Sequence, residues 1–206
     1  MQPSTFDTYS SIFSNLATGI TAIVLVVVAI QGLRSWRHQM VGQNRYTSAR
    51  QLLLLARRFR AAFARSRSPF GWSNEYIGRE RLQNESPYQS RVLDEQYARV
   101  NRLRPAADIL SELEQAAWEA EIVTGEELIQ IVQPFADVVR ELNIAINQMF
   151  GSQLQAANSP DTSPLWEIVK EFDQTELIYQ PGEDELNERV NEALRTLERK
   201  LKKYIK

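Results

Sequence analysis

The sequence predicts an all-α protein, with one N-terminal transmembrane helix followed by a cytosolic antiparallel helical bundle. Three observations carry that expectation. No charge occurs between Asp7 and Arg34, a run of 26 residues whose middle, Gly19 to Ile30, is Gly-Ile-Thr-Ala-Ile-Val-Leu-Val-Val-Val-Ala-Ile. Beyond it, apolar residues recur at spacings of three and four, the period of a helix packed on one face. No stretch alternates apolar and polar residues as a half-buried strand would.

A helix rises about 1.5 Å per residue, so the uncharged run can cross the roughly 30 Å hydrocarbon core of a bilayer. The span is placed near Leu16–Leu33 and, extended by Ile12 and Phe13, at residues 12–33, with Asn15 and Gln31 marking its polar ends. A cleaved signal peptide needs a basic start and a shorter apolar stretch, yet residues 1–33 contain no Lys or Arg. The basic residues follow the run, and such flanks stay on the cytoplasmic side. Residues 1–11 are therefore expected outside an inner (plasma) membrane, and residues 34–206 in the cytoplasm. Trp36 fits the interface, and Arg34, Arg37, Arg45 and Arg50 are the candidate contacts to anionic lipid.

The chain has no cysteine, which excludes disulfides and thiolate chemistry. Its net charge of −2 hides a division. Residues 34–104 hold 15 Arg and 5 acidic groups, a net of +10, and residues 105–206 hold 9 basic and 20 acidic groups, a net of −11. The basic half can rest on anionic lipid, or the halves can neutralise each other across helix interfaces. The expectation is that lipid takes Arg34 to Arg50 and that the acidic helices take some of the rest.

Residues 34–42 form a basic juxtamembrane segment, with Gly42 a candidate bend, and residues 43–150 the bundle. Gln43–Ala64 is a helix whose Leu52, Leu55, Phe59, Ala62 and Phe63 share a face. Residues 66–86, with Pro69, Gly71 and Gly78, are a loop. Its Phe70, Trp72, Tyr76 and Ile77 are expected to pack on the bundle or to enter the membrane interface. Ser86-Pro87 starts a helix, Ser as N-cap and Pro in the first turn. Pro105 should kink or break it near Arg104. Thr124-Gly125-Glu126-Glu127 has the form of a capping box and starts a helix striped by Leu128, Ile131, Val132, Phe135, Val139, Leu142, Ile146 and Met149. Gly151 is expected to end it. Residues 151–163 are a linker, and residues 164–206 hold C-terminal helices packing on the bundle or on a partner. Ser163-Pro164 starts a short helix with Leu165, Ile168, Val169 and Phe172, and Pro181-Gly182 breaks the chain. The last helix, about Glu183 to Tyr204, carries a four-three seam of Val190, Leu194, Leu197 and Leu201, a candidate partner or self-assembly surface.

Motifs for chemistry are missing. His38 is the only histidine and has no identifiable acid–base partner. Glu112, Glu114, Glu119, Glu121, Glu126 and Glu127 are best read as a solvated acidic face, since di-metal bundles pair Glu with His. No glycine-rich phosphate loop exists. Arg57-Arg58-Phe59-Arg60 could suit single-stranded nucleic acid, but Phe59 and Phe63 fall on the apolar stripe, so nucleic acid is disfavoured. Trp72, Trp118 and Trp166 are candidates for core, and Trp118 and Trp166 also for partner contacts. No catalytic, cofactor-binding or metal-binding residue is assigned.

Trp36-Arg37-His38-Gln39, the helix segment Tyr46-Thr-Ser-Ala49-Arg50-Gln-Leu52-Leu53, the Arg67-Ser68-Pro69-Phe70 element and the stretch from Leu113-Glu114 to Glu119-Ala120-Glu121 give a resemblance. Over about residues 30–150 the arrangement resembles a family of small bacterial single-pass membrane proteins with a cytosolic helical domain. No activity comes with that resemblance. The expected function is a non-enzymatic, membrane-tethered interaction or assembly module contacting lipid and a protein partner or further copies of itself. A membrane effector whose spans oligomerise to permeabilise the membrane is one alternative, and an enzyme with an unusual site is another.

Overall fold

The structure is a computed structural model. It describes residues 5–71, 74–157, 165–171, 173–179, 182 and 184–205, with the backbone alone at 5–18, 22, 165 and 166. Among those residues the chain is all-helical: α1 Thr5–Ser66, α2 Pro87–Thr124, α3 Ile129–Ala156, α4 Leu165–Glu171, α5 Thr175–Tyr179 and α6 Glu185–Ile205. Trp72, the segment 158–164 with its Ser163-Pro164 helix start, Phe172, Pro181, Glu183 and the side chains of Leu165 and Trp166 lie outside the described residues. The chain divides into two units, Met1–Arg45 and Tyr46–Lys206.

The first unit is helical. Among the described residues one helix is long and apolar enough to cross a membrane. Its large side chains have no protein cover: Ile20, Ile23, Val24, Leu25, Val28, Ile30 and Leu33 are all exposed. Gly42 lies inside α1 and does not end it.

The second unit is a helical bundle centred on α3, which packs against α2, α6, α4 and α5. The last turns of α1 supply Leu52, Leu55, Phe59, Ala62 and Phe63 to the same core, all buried as their spacing predicts. Phe59 meets Phe135 of α3 edge-on, ring centroids 5.1 Å apart. Such a pair adds about 0.5–1.5 kcal/mol beyond the area it buries.

Helix α2 starts as its sequence dictates. The Ser86 hydroxyl accepts from the Gln89 N–H at 3.2 Å, and the Gln89 side chain accepts from the Ser86 N–H at 2.9 Å. Of the kink or break expected near Arg104, the break does not occur, because α2 runs through Pro105. An internal proline costs about 3 kcal/mol. The buried Leu103 and Ala106 on either side, and Leu113 two turns on, hold the helix to the core and offset it.

The turn after α2 corrects a second expectation. Thr124 does not open α3. It is the last residue of α2, its hydroxyl donating to the Ala120 carbonyl at 2.6 Å. Gly125 sits in the left-handed region at φ 74° and donates to the Glu121 carbonyl at 2.8 Å, the usual way a glycine closes a helix. Glu121 then reaches across the turn, and its Oε2 accepts from the N–H groups of Leu128 at 3.0 Å and Ile129 at 3.1 Å. The last turn of one helix thus caps the first turn of the next, with a negative charge at the positive end of its dipole.

Gly151 does not end α3, which continues to Ala156. A helical glycine costs about 1 kcal/mol, and burial of Phe150, Ser152 and Ala156 on either side offsets it. The expected linker from residue 151 therefore begins with helix. Helix α5, which periodicity did not predict, is started by Asp173, whose carboxylate accepts from the Thr175 N–H at 3.0 Å.

Val190, Leu194, Leu197 and Leu201 of α6 are packed inside the chain's own bundle. A partner seam needs these side chains at the surface, so their assignment to assembly is corrected to core. Trp118 is also not core, being 59% exposed, with Ile122 exposed one turn on.

Candidate functional site

Among the described residues of the segment 67–86, ion pairs and not apolar packing make the hold. Phe70 is 82% exposed, and Ile77 and Leu82 face solvent as well. Arg79 organises it. Its Nη1 and Nη2 donate to the two Glu85 oxygens at 2.7 and 2.8 Å, and its Nε donates to Asp94 of α2 at 2.5 Å. Hydrogen bonding to Arg79 holds the Glu85 carboxyl down to about 2, helped by the Leu82 N–H. The Glu85 contact in turn pushes Arg79 above its ordinary value. Arg102 of α2 grips Glu75 with Nε, at 2.8 Å, and with Nη2. Arg102 Nη1 and Arg99 Nη1 both donate to the Ser68 carbonyl, at 2.9 and 2.7 Å. A Cβ on Gly71 would stand 3.1 Å from Arg102 Nη2, so a side chain there would make the guanidinium shift by a few tenths of an ångström. Gly78, at φ 100°, and Asn84, at φ 71°, turn the backbone where L residues are strained.

Between this segment and the N-terminal half of α2 lies an open cleft of about 950 Å³. Tyr76, Leu82 and Pro87 give it apolar wall, and Arg91, Arg99 and Arg102 line it from α2 at spacings that share one helix face. The Arg99 guanidinium is nearly buried and lies 4.1 Å over the Tyr179 ring of α5. Glu95 accepts from the Tyr179 hydroxyl at 2.9 Å and stands 3.7 Å from Arg99 Nη2. Burial pushes the Tyr179 phenol up to about 12, with the Glu95 charge acting in the same direction and Arg99 against it.

At the edge of this region Arg67 is wholly enclosed, its side chain 0% exposed. Its Nε donates to the Leu177 carbonyl at 2.9 Å and its Nη1 to Asp184 Oδ1 at 2.8 Å, while Nη2 meets Oδ2. Asp184 also accepts from the Asn187 N–H at 3.0 Å, so one carboxylate both caps α6 and neutralises Arg67. Burial pushes the Asp184 carboxyl up, but the Arg67 and Asn187 hydrogen bonds outweigh it and the net shift is down.

The arginines expected at lipid, Arg34, Arg37, Arg45 and Arg50, are all exposed along α1. Pairing between the basic and acidic halves is real but sparse: Arg57 with Glu198 at 2.7 Å, Arg58 with Glu112 at 3.7 Å, and Arg67 with Asp184. Arg79, Arg81, Arg99 and Arg102 pair instead with Glu75, Glu85, Asp94 and Glu95 of their own half. His38 is exposed. Among the described residues no three His, Asp or Glu side chains are grouped to hold a metal ion. The cleft residues were not singled out by sequence. The one local signal was the 91–95–99–102 spacing of ionisable residues on α2.

No family model, curated protein or solved structure matches the chain.

Proposed function

We propose that the protein is a membrane-tethered helical interaction module without enzymatic activity, N-terminus outside and helical domain in the cytoplasm. The observation that carries this reading is the exposure of every large apolar side chain described from Ile20 to Leu33. Hiding each from water is worth about 1.5–3 kcal/mol, and lipid is the environment that does so for a run of this length. The arginines that follow the run, Arg34, Arg37, Arg45 and Arg50, support a cytoplasmic domain and an inner-leaflet contact. The resemblance to small bacterial single-pass proteins agrees with this topology.

The absence of an enzyme is argued from the cleft itself. Its carboxylates are committed to arginines, and that pairing pushes Glu85 away from the range of a working base. Its Ser90 hydroxyl accepts from Arg81 at 2.9 Å and from Arg79 at 3.3 Å, and the Glu85 carboxylate beside it is held by Arg79. With the α6 seam used in the core, the surfaces for a partner or a second copy are the exposed Trp118–Ile122 pair on α2 and the rim formed by Phe70, Ile77 and Leu82.

The chain's lack of cysteine makes the topology testable. Single Thr5→Cys and Ser111→Cys variants are treated with a membrane-impermeant maleimide in intact cells. The reading requires labelling at position 5 only, with position 111 reacting after lysis, and retention of the chain in membranes through alkaline extraction. Release by alkaline extraction would remove the tether, and labelling at position 111 in intact cells would reverse the orientation. The mass of the protein in detergent decides between self-assembly, which gives a multimer, and a hetero-partner, which leaves a monomer.

A further inference from the structure

We infer that the cleft between residues 68–86 and α2 binds a small molecule with an oxyanion head, a carboxylate or a phosphate, on an apolar body. The donors and acceptors around the cleft do not balance. Both Glu85 oxygens are held by Arg79, and Oε1 also takes the Leu82 N–H at 2.7 Å. Asp94 accepts from Arg79 and from Arg81, the latter at 3.4 Å. Glu75 is held by Arg102, and Glu95 by the Tyr179 hydroxyl. The acceptors are thus engaged.

The donors are not. Arg91 lines the cleft with an exposed guanidinium and has no ion pair or hydrogen bond among the described residues. Arg99, 4% exposed, lines the same wall and has a buried Nε without a hydrogen-bond partner. A buried N–H left unmatched costs about 1–3 kcal/mol, and native interiors keep few of them. An oxyanion is the group that several convergent guanidinium donors complete, because it offers multiple lone pairs and opposite charge. Arg91 and Arg99 both line the cleft from α2, eight residues or about two turns apart, and Glu95 between them is already held by the Tyr179 hydroxyl. Tyr76, Leu82 and Pro87 provide apolar wall for the rest of the molecule. Polar groups fixing one end and apolar surface taking the other is the ordinary composition of a small-molecule site.

Calorimetric titration of the full-length protein in non-ionic detergent tests this, with phenyl phosphate, benzoate and inorganic phosphate as probes. The wild type should bind phenyl phosphate or benzoate saturably, whichever is tighter identifying the head, and inorganic phosphate more weakly because it lacks the body. Arg91→Gln changes an exposed side chain outside the core and should weaken the preferred probe at least about tenfold, the loss of one charge-assisted contact. Arg60→Gln, an exposed arginine of α1 away from the cleft, should leave that affinity unchanged. Saturable binding by none of the probes overturns the inference. So does equal binding by Arg91→Gln, or equal loss in Arg60→Gln, either of which would mark binding as diffuse charge attraction. These outcomes are independent of the membrane tether, which is read by extraction and labelling.

Discussion

Asp184→Asn should destabilise the helical domain out of proportion to its small change in volume. The carboxylate side chain is 15% exposed and faces an Arg67 that is 0% exposed. Asparagine keeps a good N-cap acceptor for α6, so the variant removes charge and little else. Arg67 is then left as a buried cation without a counter-charge, accepted only by the Leu177 carbonyl and the amide oxygen at position 184. Removing one member of a buried pair costs about 3–5 kcal/mol. With a urea dependence of about 2 kcal/mol per M, the unfolding midpoint should fall by about 1.5–2.5 M. Asp184→Ala should lose about 1 kcal/mol more, the value of the cap. In Arg67→Met with Asp184→Asn, no buried charge remains, so the double variant should be more stable than Asp184→Asn alone. The assay is urea unfolding of the full-length protein in non-ionic detergent, followed by helical circular dichroism. Arg57→Gln is the reference, since Arg57 and Glu198 are 63% and 40% exposed and such pairs are worth under about 1 kcal/mol. If Asp184→Asn costs no more than Arg57→Gln, the burial argument for Arg67 is wrong.

Three further outcomes are expected. Glu121→Ala should cost about 1 kcal/mol, because it removes the acceptor of the Leu128 and Ile129 N–H groups, while Glu127→Ala should be near neutral; reversal of the two in urea unfolding would restore a Thr124 capping box. Because the Glu85 carboxyl is lowered from 4.5 to about 2 in the folded chain, its contribution is complete above about pH 4.5 and is lost as pH falls toward 2; exchange of the Leu82 amide proton with solvent, referred to an unstructured peptide, should accelerate across that window and not between pH 5 and 7. Leu197→Ala should cost about 2–5 kcal/mol as a cavity in the core, whereas Trp118→Ala should change thermal stability little and lower the detergent mass if the protein self-assembles through that face.

The helical class and most helices were legible because both rest on local patterns. The three–four spacing of Leu52, Leu55, Phe59 and Phe63 names the buried face of α1, and all four are buried. Ser86-Pro87 marks the start of α2 because cap and proline act within one turn. The misreadings came where a local signal met a tertiary one. Pro105 and Gly151 are breakers by propensity, but each lies in a helix anchored to the core on both sides of it, and packing outweighed about 1–3 kcal/mol of local cost. Thr124-Gly125-Glu126-Glu127 fits two motifs, and only the left-handed glycine decides that a helix ends there. The cleft was hidden for a different reason. Arg102 and Glu75 are 27 positions apart, and periodicity carries nothing about which of many arginines and carboxylates will meet. The α6 seam was legible as an apolar stripe, but a stripe does not say whether its cover comes from the same chain.

The division into a basic and an acidic half has a different consequence from the one its totals suggest. Had the halves simply neutralised each other, the arginines would be spent on the acidic helices. Instead the basic half uses its own Glu75, Glu85, Asp94 and Glu95 to build the wall around α2, and sends few arginines across. Arg34, Arg37, Arg50, Arg60, Arg65, Arg91 and Arg104 are exposed with no ion pair among the described residues. Their places separate two kinds of anion. Those on α1 just beyond the apolar run are spaced along one helix; on the proposed topology a charged lipid surface would add about 1 kcal/mol per residue there, and salt would screen it within about 10 Å. Arg91 stands at a partly enclosed site beside the nearly buried Arg99, where a bound head group loses water and is screened less. Raising salt should therefore weaken lipid association more steeply than it weakens ligand binding in the cleft. A common salt dependence would mean that the cleft is only one more part of a basic surface.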